Sequence, residues 1–588
     1  MENKVADIIR LVSLKHIAHI FFLGLIIIYS IIFIFPGQID NIFLDTYPKA
    51  AFFVFLVDIL LLFILIFLSL CFKKEPSTAL FYSGIVLSCI ILLPFWNQTG
   101  DDSLFYIPII IVLCSQVSFF FILSKRDYLN RIFRIKYKTL LLVFIIFYFV
   151  FFAYIGIQKV NNLSFFYSRD FAIYNQSFWN TIRGRFFENS TYGSNFACHN
   201  SWFFIILIPF YYILPNPLTL LILKILLLAF SSIPFYLIAR RILNEASAIP
   251  LTLAFMAYPF LISQNFTPPH EITYAPFFIL FTYYFFKVGK FFPFMFFLLV
   301  LVSIKEHLAL VAIMFGFIAL AHKKNPKWII WPVALGIVWA VFSIGIISYF
   351  QKIYHSHPDA AWLLANFKAR LLRQNGGIFD KITSFIASSN MARWYKLKFA
   401  LLLFTPVGVI LPFLSNSCLF GLPEFLINLL SDRPVVFAPP WHYNIVVSCF
   451  LLIAASEGIK KISDCRWVKK LKIETDTFTL LVSVFIFFSV LMHSYSWLWL
   501  LKYKKDYIYA KTVKEAISIV PKEASITVPQ KMAIQVSLRP RYSLIEDEIY
   551  ADYLLIDKET ALPEHKKDIL LGYNQIFNKE GILLFKKK

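Results

Sequence analysis

Long apolar stretches separated by short polar connections dominate the sequence. A helix needs about 20 apolar residues to cross the ~30 Å hydrocarbon core of a bilayer. Apolar stretches that match or approach this length lie at 17–35, 50–72, 78–96, 104–124, 139–157, 217–239, 247–263, 272–287, 291–304, 308–321, 328–350, 397–413, 417–430, 444–457 and 478–501. The pattern predicts an all-α polytopic membrane protein with about 15 transmembrane helices.

The positions of Lys and Arg indicate how these helices are oriented. Basic residues follow the second and fourth apolar stretches, beginning at Lys73 and Lys125, whereas the connections after the first and third carry Asp. Because cytoplasmic loops are enriched in basic residues, we expect a cytoplasmic N-terminus. The stretch 201–214 is too short to span and is assigned to the outer interface of the membrane, which leaves Arg240 and Arg241 on the cytoplasmic side.

The membrane part divides into two predicted units. Residues 1–135 form an N-terminal module of four transmembrane helices. Residues 136–501 form a larger transmembrane core, with long external loops at 158–216 and 351–395. The two loops fall on the same side of the membrane in the predicted topology.

The last part of the chain has a different composition. From residue 502 the sequence becomes more polar, with a predicted helix at 511–519 and predicted strands at 525–528, 551–556 and 582–585. This pattern predicts a small α/β domain at 502–588. The topology places it outside the membrane, on the extracytoplasmic side.

Composition excludes a soluble fold. Hydrophobic residues make up 59% of the 588 residues and charged residues 15%, compared with about 25% charged residues in an ordinary soluble domain. The net charge of +22 agrees with basic cytoplasmic loops, and since the sequence has no basic soluble module, we expect no nucleic-acid partner. The seven cysteines form no CxxC pair, which argues against a disulfide framework or a zinc site.

Ionisable residues gather on the connections that the topology places outside. They are Asp170, His199, His270, Glu271, Lys305, Glu306, His307 and His442. Charged residues at membrane depth are costly and usually serve a function. Because these residues come from several separate connections, we expect them to form a pocket at the outer water interface.

Each candidate also has a purely structural explanation. Asp170 begins a predicted short helix, where a carboxylate can act as the N-cap. His199 can be a simple hydrogen-bonding residue at an apolar boundary, and the pair His270–Glu271 can cap the helix that follows it. The pair Lys305–Glu306 is either a snorkelling ion pair or a group that holds a phosphate.

Two other functions fit the predicted architecture. A transporter, or a flippase for a lipid-linked sugar without transferase activity, would need a polar path through the bundle, and transporters place charged residues near the midplane. Asp58, Lys224 and the pair Ser231–Ser232 are the hints of such a path. A non-catalytic assembly protein would use the tail at 502–588 as its contact surface.

Short motifs occur in a characteristic order along residues 139–588. They are Asp170-Phe171 with Tyr174, Gln176, Trp179 and Gly184; His199; Pro209 through Pro215; Arg240-Arg241; Tyr258-Pro259; His270; Lys305-Glu306; His442-Tyr443; Ile519-Val520-Pro521; and the run from Asp552 to Asp557. This ordered set resembles the domain of unknown function 2079 family of bacterial membrane proteins. That family is in turn similar to the C-type (GT-C) glycosyltransferase superfamily. The first four helices look like an added module.

The resemblance implies a GT-C-like bundle and a sugar transfer that inverts the anomeric carbon. The implied donor is a sugar on a polyprenyl phosphate, and the implied acceptor is a cell-envelope glycan, lipid or protein at the outer face of the bacterial inner membrane. Asp170 would be the catalytic general base. The implied substrate-binding residues are Arg169, His199, His270, Glu271, Lys305, Glu306 and His442, with Lys305 the candidate for the donor phosphate.

This chemistry suits the residue types. A carboxylate within hydrogen-bond distance can accept the proton that the acceptor hydroxyl loses, and the leaving phosphate needs positive charge from Lys, Arg or a metal. The sequence departs from the family pattern because Asp170 lacks a second acid in an Asp-x-Asp arrangement, Ala172 stands where Gly is expected, and His307 stands where an acid is common. No residue is therefore assigned to a metal, although a divalent metal is compatible with the site.

Overall fold

The computed structural model describes residues 136–165, 167–354, 396, 399–429, 431, 434–470, 474–494, 507–547, 549, 551–558 and 568–588. The predicted module at 1–135, including Asp58, lies outside these residues, as does most of the predicted external loop at 351–395. Every candidate site residue lies within the described part of the chain.

Helices make up most of the described residues. In chain order they are α1 (Tyr137–Asn161), α2 (Arg169–Thr181), α3 (Phe204–Ile213), α4 (Pro217–Phe230), α5 (Ser232–Ile242), α6 (Glu245–Ala257), α7 (Pro259–Ile262), α8 (Ala275–Val288), α9 (Phe291–Ile304), α10 (Ala309–Ala321), α11 (Lys327–Tyr354), α12 (Leu422–Leu429), α13 (Ile445–Ser463), α14 (Arg466–Lys470), α15 (Thr475–Ser494), α16 (Tyr507–Ile519) and α17 (Ala533–Val536). Three of the breaks between helices carry candidate residues, and each contains a short 3₁₀ turn. These turns are Glu271–Tyr274, Glu306–Leu308 and His442–Asn444.

Several of these helices have the length and composition of membrane spans. Among the described residues, α1, the stretch Pro217–Ile242 and α11 are long and apolar enough to cross a membrane. The pair Glu245–Ala257 and Pro259–Asn265, bent by 52°, makes a fourth span if it is one broken helix. The helical, membrane-type architecture is therefore confirmed, whereas the total of about 15 helices stays a prediction.

Two of the predicted helices are wrong in part. The stretch 397–413 is helical at 399–404 and then continues in turns. Pro406 lacks the N–H that a helix interior needs, and Gly408 has a φ of +76°, a left-handed conformation that commonly ends helices. The stretch 417–430 consists of a 3₁₀ turn followed by the two-turn helix α12.

The tail folds around a five-stranded sheet, and its described residues from Tyr507 to Lys588 are called the sheet domain below. The strands of the protein are β1 (Glu188–Asn189), β2 (Gly193–Ser194), β3 (Ile526–Val528), β4 (Tyr542–Leu544), β5 (Tyr553–Asp557), β6 (Tyr573–Lys579) and β7 (Ile582–Lys587). The sheet has the order β4-β3-β5-β7-β6, with β3 parallel to β4 and β5, and with antiparallel β5–β7 and β7–β6 pairs. β1 and β2 form a separate antiparallel pair.

The strands predicted in the tail are confirmed as β3, β5 and β7. The sequence pattern does not predict the two edge strands, β4 and β6. β4 has three residues, too few to show an alternating pattern. β6 is largely exposed and carries polar residues, so it lacks the apolar face by which strands are recognised.

The sheet domain packs against α2. Asn175 Nδ2 donates a hydrogen bond to Ser537 Oγ of this domain, 2.8 Å away. Ala172 is fully buried and belongs to the apolar core of the sheet domain. On another face of α2, the rings of Phe178 and Phe204 lie 5.2 Å apart, centroid to centroid. α2 therefore lies between the helical core and the sheet domain.

Replacing Ala172 by Leu should loosen this contact. The position is fully buried, and extra methylene groups in a packed core cost about 1–3 kcal/mol. We expect faster amide hydrogen exchange in α2 and α17, measured by mass spectrometry on the full chain. Ala172→Gly, which adds no volume, is the control and should change exchange less. Equal exchange in the wild type and the Leu variant would contradict the contact.

Candidate active site

Asp170 lies in the first turn of α2 and borders an open cleft. The N-cap position belongs to Ser168, so the explanation of Asp170 as the N-cap is wrong. The Ser168 hydroxyl donates a hydrogen bond to the carbonyl oxygen of Gln530 in the sheet domain. A carboxylate in the first turn still interacts favourably with the positive end of the helix dipole.

The cleft beside α2 brings together three segments that are distant in sequence. The lining residues are Tyr167, Asp170, Gln264, Thr267, Pro268, Pro269, His270, Pro440, Trp441 and His442. Aromatic and apolar walls with a few polar groups are typical of small-molecule binding sites.

A buried lysine holds the walls of the cleft. Lys224 in α4 is fully buried, and its ammonium donates hydrogen bonds to the carbonyl oxygens of Gln264 and Thr267, both at 2.6 Å. The side-chain amide of Gln264 donates to the carbonyl oxygens of Pro439 at 3.2 Å and Trp441 at 3.4 Å. This chain of hydrogen bonds joins two wall segments, so Lys224 has a structural role.

A buried cluster of acids, imidazoles and one ammonium adjoins the cleft. Glu271 Oε2 lies 2.7 Å from His270 Nδ1 and 3.7 Å from Lys305 Nζ. Glu306 Oε1 lies 3.0 Å from His199 Nδ1. Buried charges are costly unless they are paired, and these contacts supply the pairing. The cluster unites the chain segments that precede α3, α8 and α10.

His270 connects the cluster to the cleft. Its ring stacks on that of His442, with centroids 3.4 Å apart and planes 16° apart, and both residues line the cleft together with Asp170. His270 also contacts Glu271, which lies 3.7 Å from Lys305. A chain of buried contacts therefore links Lys305 to the cleft, although Lys305 is not among the residues that line it.

Burial controls the protonation of this site. Burial and the nearby Glu271 raise the pKa of Asp170 to about 6, against the opposing effect of Arg169. Burial lowers the pKa of His270 to about 4. Burial opposes ionisation of Glu271, but His270 and Lys305 hold the pKa of this carboxyl well below its usual range. At neutral pH, Asp170 is therefore mostly ionised and is poised to accept a proton.

Three residues of the cluster fit a divalent cation. One ligand atom from each of His199, His270 and Glu271 lies within 4.8 Å of the other two. His270 Nδ1 and Glu271 Oε2 are buried and lack a hydrogen-bond partner of good geometry, although they are 2.7 Å apart. Two imidazoles and a carboxylate form a donor set that Zn²⁺ and similar ions use. The Lys305 ammonium approaches the same carboxylate oxygen and would compete with the cation for it.

Two other candidates have partners outside the cleft. The Arg169 guanidinium lies 3.0 Å from Asp547 Oδ1 of the sheet domain, and Arg169 is not among the residues that line the cleft. His307 Nε2 lies 3.9 Å from Glu424 Oε2. Glu424 belongs to α12.

Tyr167 and Trp441 both border the cleft, but no sequence motif singles them out. Their rings meet edge to face, with centroids 5.4 Å apart. The sequence does contain a pattern that could have identified this wall of the cleft. A pair of prolines stands shortly before each cleft histidine, at 268–269 and at 439–440. This similarity becomes informative once both histidines are known to share a site.

Solved structures of two proteins are similar to this chain. The crystal structure of ArnT from Cupriavidus metallidurans bound to undecaprenyl phosphate is 10% identical, with a TM-score of 0.41, and the match covers 74% of this chain and 97% of that chain. The same protein in the apo state is 9% identical, with a TM-score of 0.44 and coverage of 74% and 96%. The Archaeoglobus fulgidus oligosaccharyltransferase in the apo form is 10% identical, with a TM-score of 0.35 and coverage of 68% and 64%.

Sequence comparison identifies a family. No curated protein matches the chain in sequence. A family model described as "Predicted membrane protein (DUF2079)" matches residues 163–571. This range begins just before Asp170, includes every residue of the cleft and the buried cluster, and extends into the sheet domain. Since the match covers well over half of the sequence, the chain belongs to the DUF2079 family of predicted membrane proteins.

Proposed function

We propose that the protein is a membrane glycosyltransferase that transfers a sugar from a polyprenyl-phosphate donor to a hydroxyl group of a cell-envelope acceptor. The observation that carries this proposal is the position of Asp170. Its carboxylate borders a cleft that is connected, through His270 and Glu271, to the buried ammonium of Lys305. A base for the acceptor and a positive charge for the leaving phosphate are the two groups that this transfer needs.

Asp170 accepts the proton of the acceptor hydroxyl as the acceptor oxygen bonds to the anomeric carbon. The bond between that carbon and the phosphate oxygen breaks in the same displacement, and the lipid phosphate leaves with the bonding electrons. Direct displacement inverts the anomeric carbon and requires no second, nucleophilic carboxylate. Asp170 then returns its proton to water.

Lys305 is proposed to balance the charge of the leaving phosphate. A divalent cation held by His199, His270 and Glu271 would add positive charge at the same place. Glu306 holds His199 in position through their 3.0 Å contact.

Arg169 and His442 complete the proposed set of site residues. Arg169 joins α2 to the sheet domain through Asp547. His442 stacks on His270 and borders the cleft. Both residues would therefore act mainly by keeping the cleft in shape around the substrate.

The proposal places the site at the extracytoplasmic face of the bacterial inner membrane. The distribution of basic residues supports a cytoplasmic N-terminus and a multi-pass bundle of about 15 helices. The unit at 502–588 would then lie outside the membrane, beside the site. The partners would be the lipid-linked donor, a glycan, lipid or protein acceptor, and the surrounding membrane lipids.

Two hints of a transport path have structural explanations. The Lys224 ammonium is held by two backbone carbonyl oxygens. The hydroxyls of Ser231 and Ser232 donate to the carbonyl oxygens of Leu227 and Ala229 at 2.7 and 2.6 Å. Because these polar groups are satisfied locally, we propose transfer in preference to lipid flipping.

A transfer assay in native membranes tests the proposal. Membranes that contain the full chain are supplied with undecaprenyl phosphates carrying single radiolabelled sugars. The label recovered in lipid, protein and polysaccharide fractions is then measured. We expect protein-dependent transfer from at least one donor. Failure with every donor of a broad panel, from protein that is folded and membrane-inserted, would overturn the proposal.

The transfer rate should rise about tenfold between pH 5 and pH 7, with a midpoint near 6. The physical reason is the pKa of Asp170, which burial and Glu271 raise to about 6, since the carboxyl must be ionised to act as a base. Below pH 6 the protonated form dominates and the rate falls. Initial rates measured across this range with saturating donor provide the check. A flat profile would contradict the assignment of Asp170 as the base.

A further inference from the structure

Aromatic and proline side chains form much of the cleft wall. Trp441 and Tyr167 both border the cleft, and their rings are in edge-to-face contact at 5.4 Å. Trp441 is flanked by Pro440, which also lines the cleft. Neither side chain can balance the charge of a phosphate, so the transfer chemistry described above leaves this part of the cleft without an assigned role.

A sugar ring is the part of the donor that fits such a wall. One face of a pyranose presents several C–H groups, which carry small positive partial charges. The face of an aromatic ring is negative because of its quadrupole, so a C–H face and an indole face attract each other. Hydroxyl groups around the ring edge can bond to the few polar groups of the wall, such as Thr267.

The charge of the wall discriminates among sugars. Of the described residues that line the cleft, Asp170 is the one carboxylate, and none is Lys or Arg. A carboxylate on the sugar would meet the negative charge of Asp170 without a compensating cation on the wall. The wall therefore suits a neutral sugar better than a uronic acid.

The tryptophan is held in place before any ligand binds. The Trp441 carbonyl oxygen accepts a hydrogen bond from Gln264 Nε2 at 3.4 Å, and the Trp441 N–H donates to the Ala438 carbonyl at 3.1 Å. Lys224 fixes the Gln264 backbone in turn. These hydrogen bonds fix the backbone at Trp441, and its ring packs against that of Tyr167. A wall segment that is ordered in advance reduces the entropy cost of binding.

We infer that Trp441 is the platform on which the sugar of the donor stacks, and that the cleft selects a neutral sugar over one that carries a carboxylate. The inference rests on the proposed function, because it names the substrate class of that site. Trp441 would contact the sugar, whereas Lys305 would act on the phosphate that every donor shares. The two residues therefore have separable effects on binding.

Measurements of lipid binding to the full chain in nanodiscs test whether Trp441 acts on the sugar and Lys305 on the phosphate. The probes are undecaprenyl phosphate, the same lipid carrying glucose, and the same lipid carrying glucuronic acid, with dissociation constants measured by titration. We expect the wild type to bind the glucosylated lipid about tenfold more tightly than the bare lipid, and the glucuronylated lipid no more tightly than the bare one. Trp441→Leu should abolish the preference for glucose while leaving the affinity for the bare lipid unchanged.

Two further variants make the outcomes distinct. Trp331, on α11, is 60% exposed. The control variant Trp331→Leu should therefore keep the preference for glucose. Lys305→Met should weaken binding of all three lipids. Retention of the preference in Trp441→Leu, or tighter binding of the glucuronylated lipid, would overturn the inference while leaving the proposed function in place. Failure of the wild type to bind any of the three lipids would overturn both.

Discussion

Replacing Asp170 by Asn should reduce sugar transfer by about 10²- to 10⁴-fold, which is the usual contribution of a general base. The amide has nearly the shape of the carboxylate but cannot accept the acceptor proton at neutral pH. Asp170 borders the open cleft and has a raised pKa, so the substitution removes a charge that the fold disfavours. We therefore expect normal expression and membrane insertion, with the loss confined to the chemical step.

The measurement is the initial rate of label transfer from the donor that the wild type uses. Asp464→Asn is the matched control, because Asp464 is an exposed carboxylate whose contact with Lys460 is an ordinary surface pair at 3.3 Å. This variant should retain the wild-type rate. Donor affinity should change little in Asp170→Asn, so that the loss appears in kcat. Full activity of Asp170→Asn would refute the assignment of the base.

Replacing Glu271 by Gln should lower the free energy of unfolding by about 3 kcal/mol. Glu271 is fully buried, and its carboxylate lies 3.7 Å from the Lys305 ammonium. The neutral amide would leave that ammonium buried with less compensation. The double variant Glu271→Gln with Lys305→Met removes both members of the pair and should recover most of the stability, because a buried pair can be replaced as a unit at low cost.

Unfolding in mixed micelles, followed by circular dichroism as the SDS fraction rises, gives these free energies. Glu245→Gln is the matched control, because Glu245 forms a half-exposed pair with Arg240 at 2.9 Å, and such pairs contribute at most about 1 kcal/mol. The double variant should remain inactive in transfer although its stability recovers. Equal destabilisation by Glu271→Gln and Glu245→Gln would contradict the role of the buried cluster.

The side of the membrane on which the polar residues gather can be predicted from the sequence. Charge counts on the connections predict that Asp170, His270 and Lys305 lie on one side of the membrane, and the assignment of that side as external stays a prediction. In the structure Asp170 and His270 line one cleft, and Lys305 is linked to His270 through the buried carboxylate of Glu271. Their roles in catalysis and binding remain predictions, because contacts between residues do not measure function.

Other features depend on contacts between distant parts of the chain. Arg169 pairs with Asp547 of the sheet domain, and no local pattern indicates that partner. The grouping of His199 with His270 and Glu271 likewise arises from tertiary packing. The break after residue 404 shows a different limit, since apolar composition alone does not reveal where Pro406 and Gly408 end a helix.

The position of α2 between the helical core and the sheet domain has a consequence for biosynthesis. The side chains of Asn175 and Ser537, which bond to each other, are 362 residues apart. At a translation rate of about 5–20 residues per second, the ribosome needs roughly 20–70 s to make the intervening chain. During that interval the nascent helix that carries Asp170 can be inserted beside its bundle while Ala172 and Asn175 still face water. A truncated polypeptide that stops short of the sheet domain would lack the partners that cover Ala172 and bond to Asn175 Nδ2 in the complete chain.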